Sequence, residues 1–332
     1  MFCSPLQFEP ILKPRVWGGS LLRTRRGSIA RRPIPEEPVG ESWEVADLDS
    51  DQTRIRDGDL AGKTLRDLMG IDARSLLGDA RPSAQGAFPL LIKYLDARQN
   101  LSVQVHPTPE YAAEHDGSHV KFEAWYVMEA APGASLHLGL RPGVCGKDFE
   151  RALGTPAIEA MLEPVPAIVG ECHYLPSGLC HALGAGVVVA EVQTPSDTTF
   201  RLHDWGRSGR ELHLTQGAQS TILDARPISR PGRAWEVENV RYQVLVNCPF
   251  FTIERVYARE PALSRLEPRG LPMTIMMIRG EAEVVDQRDR PSLSRMDTIL
   301  APACCSEITL SLKADSELLC VVPASPIHGM IA

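Results

Sequence analysis

The sequence predicts a mainly β protein, two jelly-roll β-barrels or sandwiches with a few short helices. Three observations carry that expectation. Hydrophobic residues fill 43% of the 332 positions, enough for a substantial core, yet they come in short bursts broken by 26 Gly and 27 Pro. Many segments alternate apolar and polar residues or run apolar between turn residues, as strands do. Finally, two strand-dense blocks flank the stretch 224–234, whose two Pro, three Arg and one Gly read as a boundary. The expected units are 1–225, carrying the chemistry, and 226–332, a structural β unit.

The elements follow in order. Residues 1–30 carry little periodicity beyond the short apolar turn Val16-Trp17-Gly18-Gly19, and 31–38 read as an exposed loop. Residues 40–47 alternate like a half-buried strand. The spacing of Leu65, Leu68, Met69, Leu76 and Leu77 predicts a helix over 63–78 with Thr64 as its cap. Strands are expected at 88–95, at 101–106 (stopped by Pro107), at 122–128 and at 135–140. A helical interlude follows at 147–162, marked by Phe149, Leu153, Ile158, Met161 and Leu162. Strands resume at 172–176, 187–193 and 198–203. The second block offers strands at 250–257, 273–278, 281–285, 297–301, 308–312 and 317–322, and 234–323 contains no His. Such a rhythm of short strands and turns is that of jelly rolls.

Several function classes drop out. A net charge of -7 leaves no basic footprint for nucleic acid. No run of 18 apolar residues suggests a membrane span. The N-terminus lacks the pattern of a signal peptide, which makes the cytoplasm the expected address. Eight cysteines at irregular spacing, without a CxxC, predict reduced thiols, with Cys304-Cys305 on a strand. Gly184-Ala185-Gly186 is not a GxGxxG, which argues against a dinucleotide.

What chemistry remains gathers in the first block. Gln104 and His106 are two apart on a predicted strand and leave the same face, with Ser102 beside them. Lys121, Glu123 and Trp125 repeat that geometry. His181 follows the Pro176-Ser177-Gly178 turn, where a tight backbone can aim a ligand inward. Two imidazoles, a carboxylate and an amide oxygen suit zinc, with iron and manganese as alternatives. Asp197, Thr199 and Arg201 share a face if their strand is regular. Arg201 then either serves an anionic group or bridges Asp197 or Glu191. His115 and His119 read as solvated, and His137, His203 and His213 as surface or strand residues.

The ordered motifs resemble the type I mannose-6-phosphate isomerases. The resemblance runs through Val16-Trp17-Gly18-Gly19, Gly40-Glu41-Ser42-Trp43-Glu44, the run 88–97, Leu101-Ser102-Val103-Gln104-Val105-His106-Pro107 and Lys121-Phe122-Glu123-Ala124-Trp125-Tyr126. It continues through Gly178-Leu179-Cys180-His181 and Glu191-Val192-Gln193 to the run 196–205, so it covers about 8–207 in blocks and the C-terminal block more loosely. It implies a two-domain cupin fold of the short bacterial kind, one zinc per chain, and interconversion of mannose 6-phosphate and fructose 6-phosphate through a cis-enediol. By position, Gln104, His106, Glu123 and His181 match the metal ligands. Lys121 and Arg201 match basic residues that handle the phosphate or the transition state. Ser102, Glu191 and Asp197 match other polar residues of the pocket.

One departure is Val120, where many members carry His. A mechanism using that histidine then needs His119 or another base, for which Glu191, Asp197 and a Lys121 of lowered pKa are the candidates. Two other readings stand beside the isomerase: a non-catalytic sugar-phosphate-binding cupin and an iron-dependent cupin oxygenase. The expected partner is a small hexose phosphate, and the expected state a monomer or homodimer.

Overall fold

The computed structural model describes residues 2–26, 34–285 and 291–325; positions 31–33 of the predicted loop and the tail 326–332 lie outside the described residues. Four antiparallel sheets pair off into two sandwiches. In the first, a six-stranded sheet runs in the order Cys172–Leu175, Glu123–Ala130, Val187–Gln193, Leu91–Ala97, Ile11–Gly19, Val39–Val45. Facing it are Phe200–His203, Val103–Val105, His181–Leu183, Ser135–Leu140 and Leu162–Pro166. The second sandwich sets a four-stranded sheet, built from Ala262–Leu266, Ile308–Leu312, Glu281–Val284 and Ser292–Ser294, against an eight-stranded one.

The larger sheets pack back to back. Ile92, Tyr94, Tyr126 and Val192 from the six-stranded sheet share one core with Ile253, Met276, Leu319 and Val321 from the eight-stranded sheet. Both faces of the central strand Val187–Gln193 are therefore covered, and all seven of its residues are buried. That explains its unbroken apolar run. Each fully buried aliphatic side chain of such a core contributes ~1.5–3 kcal/mol.

The predicted helix forms as Leu65–Leu77. The Asp67 N–H donates to Thr64 Oγ1 at 3.1 Å and the Thr64 N–H to Asp67 Oδ2 at 2.8 Å, a reciprocal capping box. The interlude at 147–162 divides into a helix, Gly146–Ala152, and a 3-10 turn, Pro156–Met161. Both lie over the outer face of the five-stranded sheet, where Phe149 and Ile158 meet Val103 and Val105.

The N-terminus departs from expectation. Residues 6–19, unpatterned in the sequence, form two strands, and Leu6–Glu9 pairs with Thr298–Ala301 of the second sandwich. Helices Leu21–Arg26 and Leu214–Ser220 and the strands at 234–237, 240–247, 262–266 and 292–294 were also unmarked in the sequence. Cys3 and Cys304 are joined in a disulfide, so the expectation of reduced thiols fails for that pair. Cys304 lies in the turn after Thr298–Ala301, not on a strand, which brings it beneath Cys3. No described helix is long and apolar enough to cross a membrane.

Candidate metal centre

Both sheets of the first sandwich contribute to one buried polar cluster. On the short strand Val103–Val105 the two valines point outward into the helical layer, which turns Gln104 inward. Gln104 pairs with His181 on one side and Arg201 on the other, so the three side chains form a row across the five-stranded sheet. The opposite sheet aligns Trp43, Lys93, Glu191 and Trp125 in a second row. Glu123 reaches from that sheet to the histidines: its Oε1 is 3.2 Å from His181 Nε2 and its Oε2 is 3.5 Å from His106 Nε2.

The turn at Pro176-Ser177-Gly178 ties the cluster together. Gly178, at φ +88°, donates its N–H to the His106 carbonyl at 3.1 Å. Ser177 Oγ accepts the Lys121 N–H at 3.0 Å and donates to the Lys121 carbonyl at 2.9 Å. Each imidazole is fixed from behind. His106 Nδ1 donates to the Thr198 carbonyl at 2.9 Å and His181 Nδ1 to the Leu179 carbonyl at 2.8 Å, which leaves both Nε2 lone pairs facing Glu123.

Three of the convergent atoms are buried without a hydrogen-bond partner: His106 Nε2 and both Glu123 carboxylate oxygens. Lys121 offsets one Glu123 oxygen, and a metal cation would supply what Glu123 Oε1 and His106 Nε2 still lack. The donor atoms of His106, Glu123 and His181 all lie within 4.8 Å of one another. Burial, reinforced by Lys121, pushes His106 down to about 3, which keeps its imidazole neutral as a ligand must be. Burial alone would raise Glu123, but Lys121 and His106 outweigh it and hold the carboxyl well below its ordinary range.

Lys121 Nζ lies 2.7 Å from Glu123 Oε2 and 3.9 Å from Glu191 Oε1. Burial favours loss of its proton, yet Glu123 and Glu191 prevail and raise it. The two carboxylates thus hold Lys121 toward its charged form. The sequence reading missed two partners, Lys93 and Glu41. Lys93 Nζ sits 3.4 Å from Glu191 Oε1 and 3.8 Å from Glu41 Oε2, and Arg15 Nε closes the chain on Glu41 Oε1 at 2.7 Å. The available signal was a lone lysine inside the apolar run 88–95, a pattern that demands a buried counter-charge.

Other predicted residues fall in different places. Ser102 is buried and donates to Gln104 Oε1 at 3.2 Å. Arg201 bridges neither Asp197 nor Glu191; its Nη1 donates to the Glu211 carbonyl at 2.7 Å and its Nε is buried without a partner. Its main-chain N–H donates to His213 Nδ1 at 3.2 Å. The strand begins only at Phe200, so Asp197 does not share its face regularly and lies exposed in the preceding loop. His119 contacts Gln85 at the surface, with 3.0 Å between its Nδ1 and the amide nitrogen, and so does not stand in for the absent histidine at Val120.

Residues 6–132 match the profile of the phosphomannose isomerase type I catalytic domain. A Streptococcus mutans protein named mannose-6-phosphate isomerase is 30% identical over 307 residues, which span 90% of this chain and 92% of that one. The chain belongs to the type I phosphomannose isomerases. A second relative, mannose-6-phosphate isomerase ManA of Bacillus subtilis, is 30% identical over 91% of this chain and 94% of its own. The crystal structure of the Bacillus subtilis mannose 6-phosphate isomerase superposes with a TM-score of 0.85 at 25% identity, covering 96% of this chain and 99% of that chain. The Salmonella typhimurium enzyme shares the fold, with a TM-score of 0.71 at 16% identity over 96% of this chain and 99% of that one. The two-sandwich architecture is therefore that of the phosphomannose isomerases.

Proposed function

We propose that this chain interconverts mannose 6-phosphate and fructose 6-phosphate with a zinc ion held by Gln104, His106, Glu123 and His181. The observation that carries the reading is the orphaned trio of His106 Nε2 and the two Glu123 oxygens, aimed at one point beside a charged lysine. The nitrogen and oxygen donors fit zinc. Gln104 joins them by a half-turn of its amide, which exchanges Oε1 and Nε2 without changing the space filled. The chemistry such an ion supplies is Lewis-acid polarisation of a sugar oxygen.

The chain's own groups do the rest. Lys121 keeps its proton and donates to an oxygen of the open-chain sugar. Glu191 Oε1 has no hydrogen-bond partner and lies beside Lys121, so it is the carboxylate suited to take the proton from carbon 2 and return it to carbon 1 through a cis-enediol. Arg201 turns its unpartnered Nε toward an anionic oxygen, and a guanidinium stays charged at any working pH. Ser102 steadies Gln104 and lines the sugar side. Asp197 is exposed in the loop before the strand and stands apart from these buried groups.

A coupled assay for fructose 6-phosphate, run on a hexose phosphate panel with metal-stripped and zinc-restored protein, tests the proposal. Turnover on mannose 6-phosphate should vanish with chelator and return with zinc. Arg201→Ala should lower kcat by roughly 10²-fold or more, as loss of one charge-stabilising donor does. Activity indifferent to chelator, or oxygen uptake with bound iron, sinks the reading.

A further inference from the structure

A second cavity opens at the seam between the two sandwiches, away from the metal centre. Its volume is about 320 Å³, and its walls include Arg241, Gln243 and Arg255 from the second sandwich, Glu171 from the first and Ser229 from the connection between them. Arg255 faces Gln243 across the strand pair and Arg241 faces Tyr257, so the two arginines are diagonal neighbours on one face of the sheet. Among the described residues neither has a carboxylate within ion-pair distance. Like charges in that relation repel; Glu236 stands opposite Arg241 and Glu317 opposite Tyr257, but neither carboxylate pairs with the two guanidiniums, and Glu317 is taken by the Tyr126 hydroxyl.

The cavity is furnished for what would compensate them. Arg255 Nη2 donates to Gln243 Oε1 at 2.7 Å, which holds the half-buried guanidinium in place. Gly170, at φ +92°, brings the opposite backbone against Arg255 Nη1 without a side chain between them. Ser229 Oγ lies 2.7 Å from Nδ1 of His173, which is 2% exposed and keeps its Nε2 without a hydrogen-bond partner. The Glu171 carboxylate near Nε2 favours the proton there, so Nδ1 accepts from the Ser229 hydroxyl and holds that side chain at the cavity wall. The carboxylate on the wall, Glu171, is turned toward His173, 3.6 Å from Nε2, and pairs with neither guanidinium.

We propose that this seam binds a small phosphate dianion, free or as a compact monoester, between Arg241 and Arg255. Planar guanidinium forks match tetrahedral oxyanions. Because the walls come from both sandwiches, the bound anion ties them together and raises the melting temperature. The site is independent of the isomerase reading.

Calorimetric titration with inorganic phosphate, and in parallel with glycerol 3-phosphate, tests it on wild type, on Arg241→Ala/Arg255→Ala and on Arg201→Ala. The expected result is a binding event that survives Arg201→Ala and weakens at least tenfold in the double variant, with isomerase turnover at zero phosphate unchanged. The tighter of the two probes identifies the form preferred. Thermal melts report folding of the double variant, and the exposed single variant Arg241→Ala serves if that protein fails to fold. Phosphate binding that is the same in wild type and in the arginine variants overturns the proposal.

Discussion

A few buried atoms define the candidate metal centre. Two carboxylate oxygens and an imidazole nitrogen sit buried, with the Lys121 ammonium on one oxygen as their close charged neighbour, while the other nitrogen of each imidazole is bonded to a carbonyl. Replacing Glu123 by Gln keeps the shape and removes the charge, so metal retained after dialysis, read by elemental analysis, should fall by roughly tenfold or more relative to wild type. Equal metal content in both would mean that the ion sits elsewhere. Glu41 offers a different readout, since it touches none of the three. Burial raises its carboxyl, but Lys93, Arg15 and the Trp43 indole outweigh that and bring it from 4.5 down to about 2. A depressed carboxyl stabilises the fold above its unfolded value and loses that contribution as pH falls. The window here runs from about pH 4.5 to about pH 2, and the shift corresponds to about 3 kcal/mol. Denaturant midpoints measured between pH 5 and pH 2.5 should therefore fall more steeply for wild type than for Glu41→Gln, and parallel slopes would remove Glu41 from the account.

Elements place these atoms, and the turn before His181 places most of them. It bonds the main chain at His106 and Lys121 and launches the strand that begins with His181. Gly178 adopts φ +88°, and a Cβ there would meet Ile222 at 2.7 Å. Gly178→Ala should cost ~1–2 kcal/mol for the left-handed backbone, plus the clash, and should weaken metal binding at the same time. A shift in thermal stability without loss of metal would show that the turn supports the fold alone. The same elements mark what the sequence could show. The convergence of His106, Glu123 and His181, with Gln104 beside them, was legible because strand alternation and the ordered motifs act locally. Lys93 and Glu41 were not, since their meaning lies in cross-strand register, which no local pattern specifies. Asp197 misled for the opposite reason: alternation was extended into a loop where it does not hold. The strand Leu6–Glu9 had no legible signal because its partner lies almost three hundred residues away.

At the scale of the whole molecule, that distant pairing stitches the two ends of the chain together. Leu6–Glu9 completes the eight-stranded sheet against Thr298–Ala301, and a few residues earlier Cys3 is bonded to Cys304 across 301 residues of sequence. Cys305 is not in a disulfide, and its thiol donates to the Cys3 carbonyl at 2.9 Å, so the clamp is flanked by a third sulfur. Closing so long a loop restricts the unfolded chain more than it changes the native contacts, and such a bond typically contributes ~2–4 kcal/mol. Holding the first strand in place also protects the edge at Thr298–Ala301, which would otherwise offer open backbone groups to another chain. Thermal unfolding with and without reductant should differ by several degrees in wild type, and Cys3→Ser should reproduce the reduced curve in both conditions. Cys305→Ser should instead keep the full response to reductant, because it leaves the bonded pair intact. The metal centre lies in the other sandwich, so isomerase activity at low temperature should be the same with the clamp open or closed. Melting curves unmoved by reductant would show that strand pairing alone secures the N-terminus.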